Sequence, residues 1–184
     1  MNNYPEYNFL NILLVAGTGR NTGKTSFVCQ ICKEWNLEIP LICFKISNHF
    51  HEQLGSKLIF SSPNFNIFEE TQATTNKDTS RMLQAGASKV FFIEAESPYA
   101  FEAFNKSREY FPENCAIICE SGALRRYFKP SIFIMLHNPG KEPKSSAVDL
   151  MDIADKIFYF DEENIFIPSN HVIFTNQQWK INLQ

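Results

Sequence analysis

The 184-residue sequence lacks the excess of basic residues that binding to a nucleic-acid backbone requires. Its 17 lysines and arginines are outnumbered by 20 aspartates and glutamates, so the formal net charge at pH 7 is −3. A protein whose main task is to neutralise nucleic-acid phosphates needs a net basic face, and this balance argues against that class. A local basic pocket for a phosphate group remains compatible with the composition.

Long apolar runs are also missing. The longest early run, Ile12 to Ala16, is far shorter than the roughly 20 residues that cross a bilayer. The first residues show no basic stretch followed by a long apolar segment, which is the pattern of an export signal. We therefore expect no membrane partner and a cytoplasmic location, in which all five cysteines are reduced.

Apolar and aromatic residues, in contrast, are plentiful. Apolar residues make up 44% of the chain and 18 residues are phenylalanine, which excludes extensive disorder. The length suits one domain, so we predict a single domain over residues 1–184. Within it, residues 1–9 are predicted to form a frayed tail. Residues 161–184 are predicted to be a C-terminal extension that packs at a sheet edge.

Short apolar runs alternate with stretches of helical pattern, which predicts an α/β fold. Continuous apolar strands indicate a doubly wound, mainly parallel sheet of about five to seven strands with helices on both faces. The predicted strands are 11–16, 40–46, 90–95, 116–120, 132–136 and 157–160, with 65–69 as a short edge strand. The predicted helices are 24–35, 78–85, 99–111, 122–128 and 147–154.

The strongest motif is LLVAGTGRNTGKTSF, which follows a predicted strand and precedes a predicted helix. Its glycines let the backbone curl and present several N–H groups to one anion, and the helix N-terminus adds its dipole. This context is typical of the P-loop fold of nucleoside triphosphate hydrolases. In the usual G-x-x-x-x-G-K-[ST] pattern, the first glycine would stand at position 18. Here position 18 is Thr18 and the first glycine is Gly17, so the loop is one residue longer.

The motif assigns roles to individual residues, with Mg²⁺ and ATP or GTP as the expected ligands. Lys24 and Arg20 are predicted catalytic residues that stabilise charge on the phosphates, and the Thr25 hydroxyl is a predicted Mg²⁺ ligand. Asn138 is predicted to contact the base, with adenine and guanine both open. The complete predicted nucleotide-binding set is Gly17, Thr18, Gly19, Arg20, Asn21, Thr22, Gly23, Lys24, Thr25, Ser26 and Asn138.

Two carboxylates are predicted to complete the metal site with Thr25. Glu120 ends a buried apolar strand, where ligands collect in open α/β sheets. Its carboxylate can hold metal-bound water or orient a nucleophilic water, so we also predict a catalytic role for it. Asp78 begins a predicted helix, where it either caps the N-terminus or holds Mg²⁺ through water.

Four segments, in order, resemble the molybdopterin-guanine dinucleotide biosynthesis adaptor family (MobB). RNTGKTS is similar to the family's N-S-G-K-T segment, and KDTSRMLQAGASKVFFI to its D-S-x-R-x-x-x-A-G-A element. KISNHFH stands where the family has a lysine and a His-rich stretch, and Glu120 where it has Glu-Gly. The long GT…GKT loop also resembles that of dethiobiotin synthetase. The first resemblance implies slow hydrolysis of the triphosphate, a partner enzyme in molybdenum cofactor biosynthesis, and a homodimer.

Other residues carry weaker signals, each with an ordinary structural alternative. Lys45, His49 and His51 either bind an anionic second substrate or a metal, or are solvated at the surface. Arg81 either contacts phosphate or lies on a solvated helix face. Cys29 and Cys32 are predicted to pack in the core rather than to bind a metal.

Three classes of function are therefore open. The first is an adaptor-like protein that binds a nucleoside triphosphate and hydrolyses it slowly, which the DTSRMLQAGA segment supports. The second is an ATP-dependent ligase or small-molecule kinase of the dethiobiotin synthetase type, which the long loop supports. The third is a degenerate domain that serves only as a structural partner.

Overall fold

The computed structural model describes residues 7–48, 50, 55–159 and 171–182. Its strands are β1 (Asn8–Gly17), β2 (Leu41–Ser47), β3 (Ser56–Ser61), β4 (Phe65–Glu70), β5 (Lys89–Ala95), β6 (Ala116–Glu120), β7 (Lys129–His137), β8 (Lys156–Tyr159), β9 (Val172–Thr175) and β10 (Gln178–Ile181). Its α-helices are α1 (Lys24–Glu34), α2 (Asp78–Gln84), α3 (Ala100–Ser107) and α4 (Ser145–Met151). Within these ranges, no helix is long and apolar enough to cross a membrane.

Eight strands form one mostly parallel sheet in the order β3-β4-β5-β2-β6-β1-β7-β8. Neighbours from β5 to β8 run parallel, and β3 and β4 add an antiparallel hairpin beside β5. Parallel neighbours place their carboxyl ends at the same edge of a sheet. The segments that follow β1, β2 and β6 therefore meet at one edge, with β1 between β6 and β7.

Helices cover both faces of the sheet. On one face, Leu13 and Val15 of β1 share a core cluster with Phe27 of α1 and Met82 of α2. On the other, Ile12 and Leu14 belong to a cluster that contains Ala103 and Phe104 of α3 and Leu150 of α4. Burial on both faces explains why the strands are apolar along their length. The α/β prediction is confirmed, and the arrangement is compatible with a doubly wound fold.

The prediction that residues 65–69 form an edge strand is wrong. These residues belong to β4, which lies inside the sheet because β3 pairs with its outer side. The sheet consequently has eight strands rather than five to seven. A Ser-Pro-Asn turn at residues 62–64, between two runs rich in β-branched and aromatic residues, was an available signal for this hairpin.

Within the described residues of the predicted C-terminal extension, Val172 and Trp179 belong to the core cluster on the α1 face of the sheet, while β8 lies at the sheet edge. The described part of the extension, residues 171–182, contains the antiparallel β9–β10 hairpin. Trp179 of β10 is buried against Trp35, with ring centroids 5.7 Å apart. Its Nε1–H donates to the carbonyls of Asn11 and Ile117, both at 3.1 Å. One indole thus joins the hairpin to β1 and β6.

Other predicted boundaries also change. Strand β1 begins at Asn8, so Asn8 and Phe9 are paired residues and not a frayed tail. The predicted helix at 122–128 is a short 3₁₀ helix at Ala123–Arg126. The predicted helix at 99–111 is shorter as an α-helix, because 3₁₀ turns flank α3 on both sides. Residue 160, predicted to end the last strand of the sheet, lies outside the described residues.

The double hydrogen bond of Trp179 predicts a stability effect. Trp179→Phe keeps an aromatic ring but leaves the carbonyls of Asn11 and Ile117 without this donor. We expect the free energy of unfolding to fall by about 1–3 kcal/mol, measured by urea denaturation. Tyr159→Phe, at an exposed position, is the control and should change stability by less than about 0.5 kcal/mol. Equal stability of Trp179→Phe and wild type would contradict this account.

Candidate functional site

A cavity of about 510 Å³ opens at the carboxyl edge of the sheet, where β1, β2 and β6 end. It brings together the end of the β1–α1 loop (residues 18–23), the first turn of α1, and side chains from β2, β6 and α2. Its lining residues are Arg20, Asn21, Thr22, Gly23, Lys24, Thr25, Ser26, Lys45, Asp78, Arg81 and Glu120. Seven contiguous residues of the predicted nucleotide-binding set and both predicted carboxylates therefore share one cavity.

The β1–α1 loop turns sharply into α1. Gly23 has a φ of 80°, in the left-handed region that favours glycine, and it is the N-cap residue of the helix. Phe27 N donates to Gly23 O at 2.9 Å. The amides of the first turn, residues 24–26, precede this helical ladder, as at any helix N-terminus. Together with the helix dipole they favour an anion in the cavity.

Lys24 folds back over the loop. Its Nζ donates to Gly19 O at 3.0 Å and to Thr22 Oγ1 at 3.3 Å. This close approach requires glycine at position 17, because a Cβ there would lie 2.2 Å from Thr22 Oγ1 and 3.1 Å from Lys24 Nζ. Burial lowers the pKa of Lys24, and the nearby Glu120 carboxylate opposes this effect. A bound anion would likewise favour the charged lysine.

Strand register places Glu120 between β1 and β2. Glu120 lies opposite Val15 of β1 on one side and opposite Lys45 of β2 on the other. The Thr25 hydroxyl donates to Glu120 Oε2 at 2.9 Å, and Lys45 Nζ lies 3.1 Å from Glu120 Oε1. The carboxylate is almost fully buried, with 4% exposure of the residue. Both of its oxygens are therefore engaged by residues of neighbouring elements.

Helix α2 brings a second carboxylate to the same place. Lys45 Nζ also donates to Asp78 Oδ2, and Arg81 Nη1 lies 3.6 Å from Asp78 Oδ1. Burial by itself would raise the pKa of Asp78, but the hydrogen bond from Lys45 lowers it below the usual 3.8. The N-cap of α2 is Lys77, so the alternative that Asp78 caps the helix is wrong. Its carboxylate instead lines the cavity.

A buried carboxylate that the sequence analysis missed positions α2. Glu70, at the end of β4, accepts hydrogen bonds from the Thr71 and Gln72 amides at 3.1 and 3.0 Å. It also accepts one from the Thr79 hydroxyl of α2 at 2.8 Å. These bonds join the start of α2 to the sheet and thereby fix Asp78. The only sequence signal for Glu70 is that it ends an apolar strand as part of the pair Glu69–Glu70. Such a pair does not distinguish a structural carboxylate from a catalytic one.

The other side of the β1–α1 loop faces the connection between β7 and α4. A cavity of about 520 Å³ lies there, lined by residues that include Thr18, Gly19, Lys141 and Lys144. Thr18 Oγ1 shares a hydrogen bond of 2.9 Å with His137 Nδ1, and Lys144 N donates to Thr18 O at 2.9 Å. The first part of the loop is thus held by β7 and by the segment that precedes α4.

Asn138 is placed differently from the other predicted binding residues. It is buried, and its Oδ1 accepts from Gly140 N at 2.9 Å, which closes a turn after β7. It is not among the residues that line either cavity. Its contact with a nucleotide base stays a prediction.

The remaining candidate residues of the sequence analysis are two cysteines and two histidines. Cys29 and Cys32 lie on the buried face of α1 and pack in the core, as predicted, and burial raises the pKa of Cys29 to about 11. His49 and His51 lie outside the described residues. In the described part of the chain, no group of three or more His, Cys, Asp and Glu side chains is arranged to hold a metal ion. A metal here would need ligands of another kind, such as the Thr25 hydroxyl or a bound phosphate.

No protein-family model, curated protein or solved structure matches this chain. The function must therefore be inferred from the residues of the site. Their arrangement offers main-chain amides and lysine nitrogen to an anion, beside a hydroxyl and two carboxylates that can hold a hard cation.

The close approach at Gly17 predicts unequal effects of two alanine substitutions. Gly17→Ala forces Thr22 and Lys24 to move and should lower the free energy of unfolding by about 1–3 kcal/mol. Gly19→Ala is the matched control, because a Cβ there meets no atom within 4 Å. It should change stability by less than about 0.5 kcal/mol in the same chemical denaturation experiment. Equal effects of the two substitutions would contradict the packing described for Lys24.

The lowered pKa of Asp78 predicts a dependence of stability on pH. Its charged form stabilises the fold above the unfolded pKa, near 3.8, and this contribution is lost as the pH falls through the lower folded pKa. Asp78→Asn should therefore be less stable than wild type near pH 7, and the difference should shrink towards about pH 3.

Denaturation of both proteins at several pH values measures this difference. Asp149→Asn, at an exposed position on α4, is the control and should leave stability unchanged near pH 7. A difference between wild type and Asp78→Asn that is constant over the acidic range would contradict the pairing of Asp78 with Lys45.

Proposed function

We propose that the chain binds a nucleoside triphosphate with Mg²⁺ at residues 17–26, in the manner of a P-loop protein, and hydrolyses it slowly. The observation that carries this proposal is the hydrogen bond of 2.9 Å between the Thr25 hydroxyl and Glu120. It joins the Gly-Lys-Thr start of a helix to a buried carboxylate at the end of the adjacent parallel strand. A hydroxyl and a carboxylate so placed can share one Mg²⁺ ion, directly or through water.

The residues around the loop suit a chain of phosphates. The amides of the first turn of α1 and the Lys24 ammonium face the same cavity, and Arg20 and Arg81 line it as well. Backbone amides and the helix dipole stabilise phosphate charge without sequence-specific contacts, while lysine adds a full positive charge. Arg20 is exposed on the loop, which suits a residue that contacts phosphate only when ligand is bound.

The oxygen donors fit Mg²⁺ in number and kind. Mg²⁺ is usually held by one or two carboxylates together with phosphate oxygens and water. Thr25, Asp78 and Glu120 line one cavity, and Mg²⁺ bound between them would displace Lys45 Nζ from its pairing with the two carboxylates. Bound Mg²⁺ would neutralise charge on the phosphates. Thr25 and Glu120 would hold it, and Asp78 would contribute through water.

The contacts of Glu120 support slow hydrolysis. A carboxylate that orients or deprotonates water needs a free oxygen near the nucleophile. Glu120 is held by Thr25 on one oxygen and by Lys45 on the other, so neither oxygen is free to position a water in this arrangement. This favours an adaptor-like protein over a fast hydrolase.

The adaptor role in molybdenum cofactor biosynthesis is supported by the segment DTSRMLQAGA, because its Asp78 and Arg81 line the cavity. Such a role implies a partner enzyme, a cytoplasmic location and a homodimer.

A ligase or small-molecule kinase is the second candidate function. It is favoured by one observation, a further cavity of about 270 Å³ whose lining includes Gly19, Arg20 and Lys24 of the proposed phosphate-binding segment.

Substitution of Lys24 tests the proposal directly. Lys24→Ala removes the buried cation of the loop and is expected to abolish binding of Mg²⁺-ATP and Mg²⁺-GTP in calorimetry. The fold should persist, because the substitution leaves no unpaired charge behind. Lys33→Ala, exposed on the same helix, is the control and should bind as wild type does. Binding by Lys24→Ala with a Kd of about 1 mM or tighter would contradict the proposal.

A further inference from the structure

The cavity of about 270 Å³ adjoins the cavity of about 510 Å³ where β1 and β6 end. The two cavities share four lining residues, which are Arg20, Lys24, Lys45 and Glu120. Ser121, which directly follows β6, lines the smaller cavity but not the larger one. We call the smaller one the Ser121 cavity. A chain of phosphates on the β1–α1 loop that continues past Lys24 can therefore extend into the Ser121 cavity.

The ends of two strands approach each other closely at this cavity. Ser121 N donates to Val15 O at 3.1 Å, so residue 121 continues the pairing of β6 with β1. A Cβ at Gly122 would lie 3.5 Å from the Cβ of Ala16, so the segment after β6 packs against the end of β1. Gly17 is the last residue of β1 and also lines the cavity. Ser121 is therefore held beside the residue that leads into the β1–α1 loop.

Ser121 carries an unused hydrogen-bonding group. The residue is only 6% exposed, and its hydroxyl has no hydrogen-bond partner among the described residues. Buried polar groups are rarely unpaired in folded proteins. A serine hydroxyl needs only rotation about one side-chain bond to present its proton to a neighbouring cavity. A ligand in the Ser121 cavity can therefore accept a hydrogen bond from this hydroxyl.

The charges of the lining favour an anionic ligand. Of the described residues that line the Ser121 cavity, four are basic and one, Glu120, is acidic. Glu120 is already paired with Lys45, whose Nζ lies 3.1 Å from Oε1. The positive charges of Arg20, Lys24 and Lys144 are then in excess. Lys24 Nζ donates to two neutral oxygens of the β1–α1 loop, so these contacts leave its charge to attract an anion.

We propose that the Ser121 hydroxyl donates a hydrogen bond to the terminal phosphate of the bound nucleoside triphosphate, and that this contact makes the chain select triphosphates over diphosphates. The inference rests on the proposed function, because it assigns the residue that recognises the last phosphate of that ligand. A diphosphate would end before the Ser121 cavity and leave the hydroxyl without a partner. Hydrogen bonds to charged acceptors are stronger than those between neutral groups, so the loss of this one should change affinity about tenfold.

The first test is isothermal titration calorimetry of the full chain with ATP, ADP, GTP and GDP, each with Mg²⁺. The proteins are wild type, Ser121→Ala and Ser61→Ala, the last being a control at an exposed position of β3. We expect Ser121→Ala to bind the triphosphates about tenfold more weakly and the diphosphates within about twofold of wild type. Ser61→Ala should match wild type with all four nucleotides. The melting temperature of Ser121→Ala should not fall, because the hydroxyl has no partner among the described residues to lose.

A second test asks whether the phosphate in the Ser121 cavity belongs to the nucleotide or is a free ion. Inorganic phosphate is added to wild type during titration with Mg²⁺-ATP and, separately, with Mg²⁺-ADP. A free phosphate ion should compete only for the terminal position. It should therefore raise the apparent Kd for ATP and leave that for ADP unchanged or lower.

Each outcome has a distinct meaning. Unchanged triphosphate binding by Ser121→Ala, an equal loss of triphosphate and diphosphate binding, or a lower melting temperature of this variant overturns the inference. So does free phosphate that binds together with Mg²⁺-ATP, because the cavity would then hold a separate ion. The proposed function stands in each of these cases if wild type still binds Mg²⁺-nucleotide. If wild type binds none of the four nucleotides, the proposed function fails and the inference fails with it.

Discussion

The buried carboxylate of Glu120 is the group on which the whole arrangement depends. An unpaired charge in an apolar strand end is strongly unfavourable, so its partners must be held in place whenever the chain is folded. Those partners are Thr25 from the first turn of α1 and Lys45 from β2, at 2.9 and 3.1 Å. Pairing one buried side chain of β6 therefore couples the start of α1 to β2 and β6 of the central sheet.

The need to pair buried charges also involves α2, because Lys45 contacts Asp78 of that helix. Lys45 has to satisfy Glu120 and Asp78 together, and the two carboxylates raise its pKa even though burial alone would lower it. Asp78 is held in turn because Glu70 anchors the start of α2 through Thr79. The two cations Lys45 and Arg81 balance the carboxylates of Asp78 and Glu120. Lys24 Nζ instead donates to Gly19 O and Thr22 Oγ1 of the β1–α1 loop.

The sequence predicts the parts of this site that a local pattern marks. The strand, loop and first turn of α1 form one unbroken motif, and Glu120 stands out because it ends an apolar strand. The contact of Trp179 with Asn11 spans 168 residues, and no local pattern encodes it. The β3 strand escaped prediction because its residues are partly exposed in no clear alternation. The sequence also left Asp78 with two roles, and the capping role is excluded only because the structure places Lys77 at the N-cap of α2.

The β1–α1 loop lies between two cavities that share several of its residues. Its first residues are tied to the β7–α4 side by Thr18, whose partners are His137 and Lys144. The start of α1, which directly follows the loop, is tied to β6 by Thr25. The loop is therefore fixed at both ends, and its residues 20–22 line the cavities on both sides. A loop held in this way needs little rearrangement to meet a ligand on either side, which lowers the entropic cost of binding.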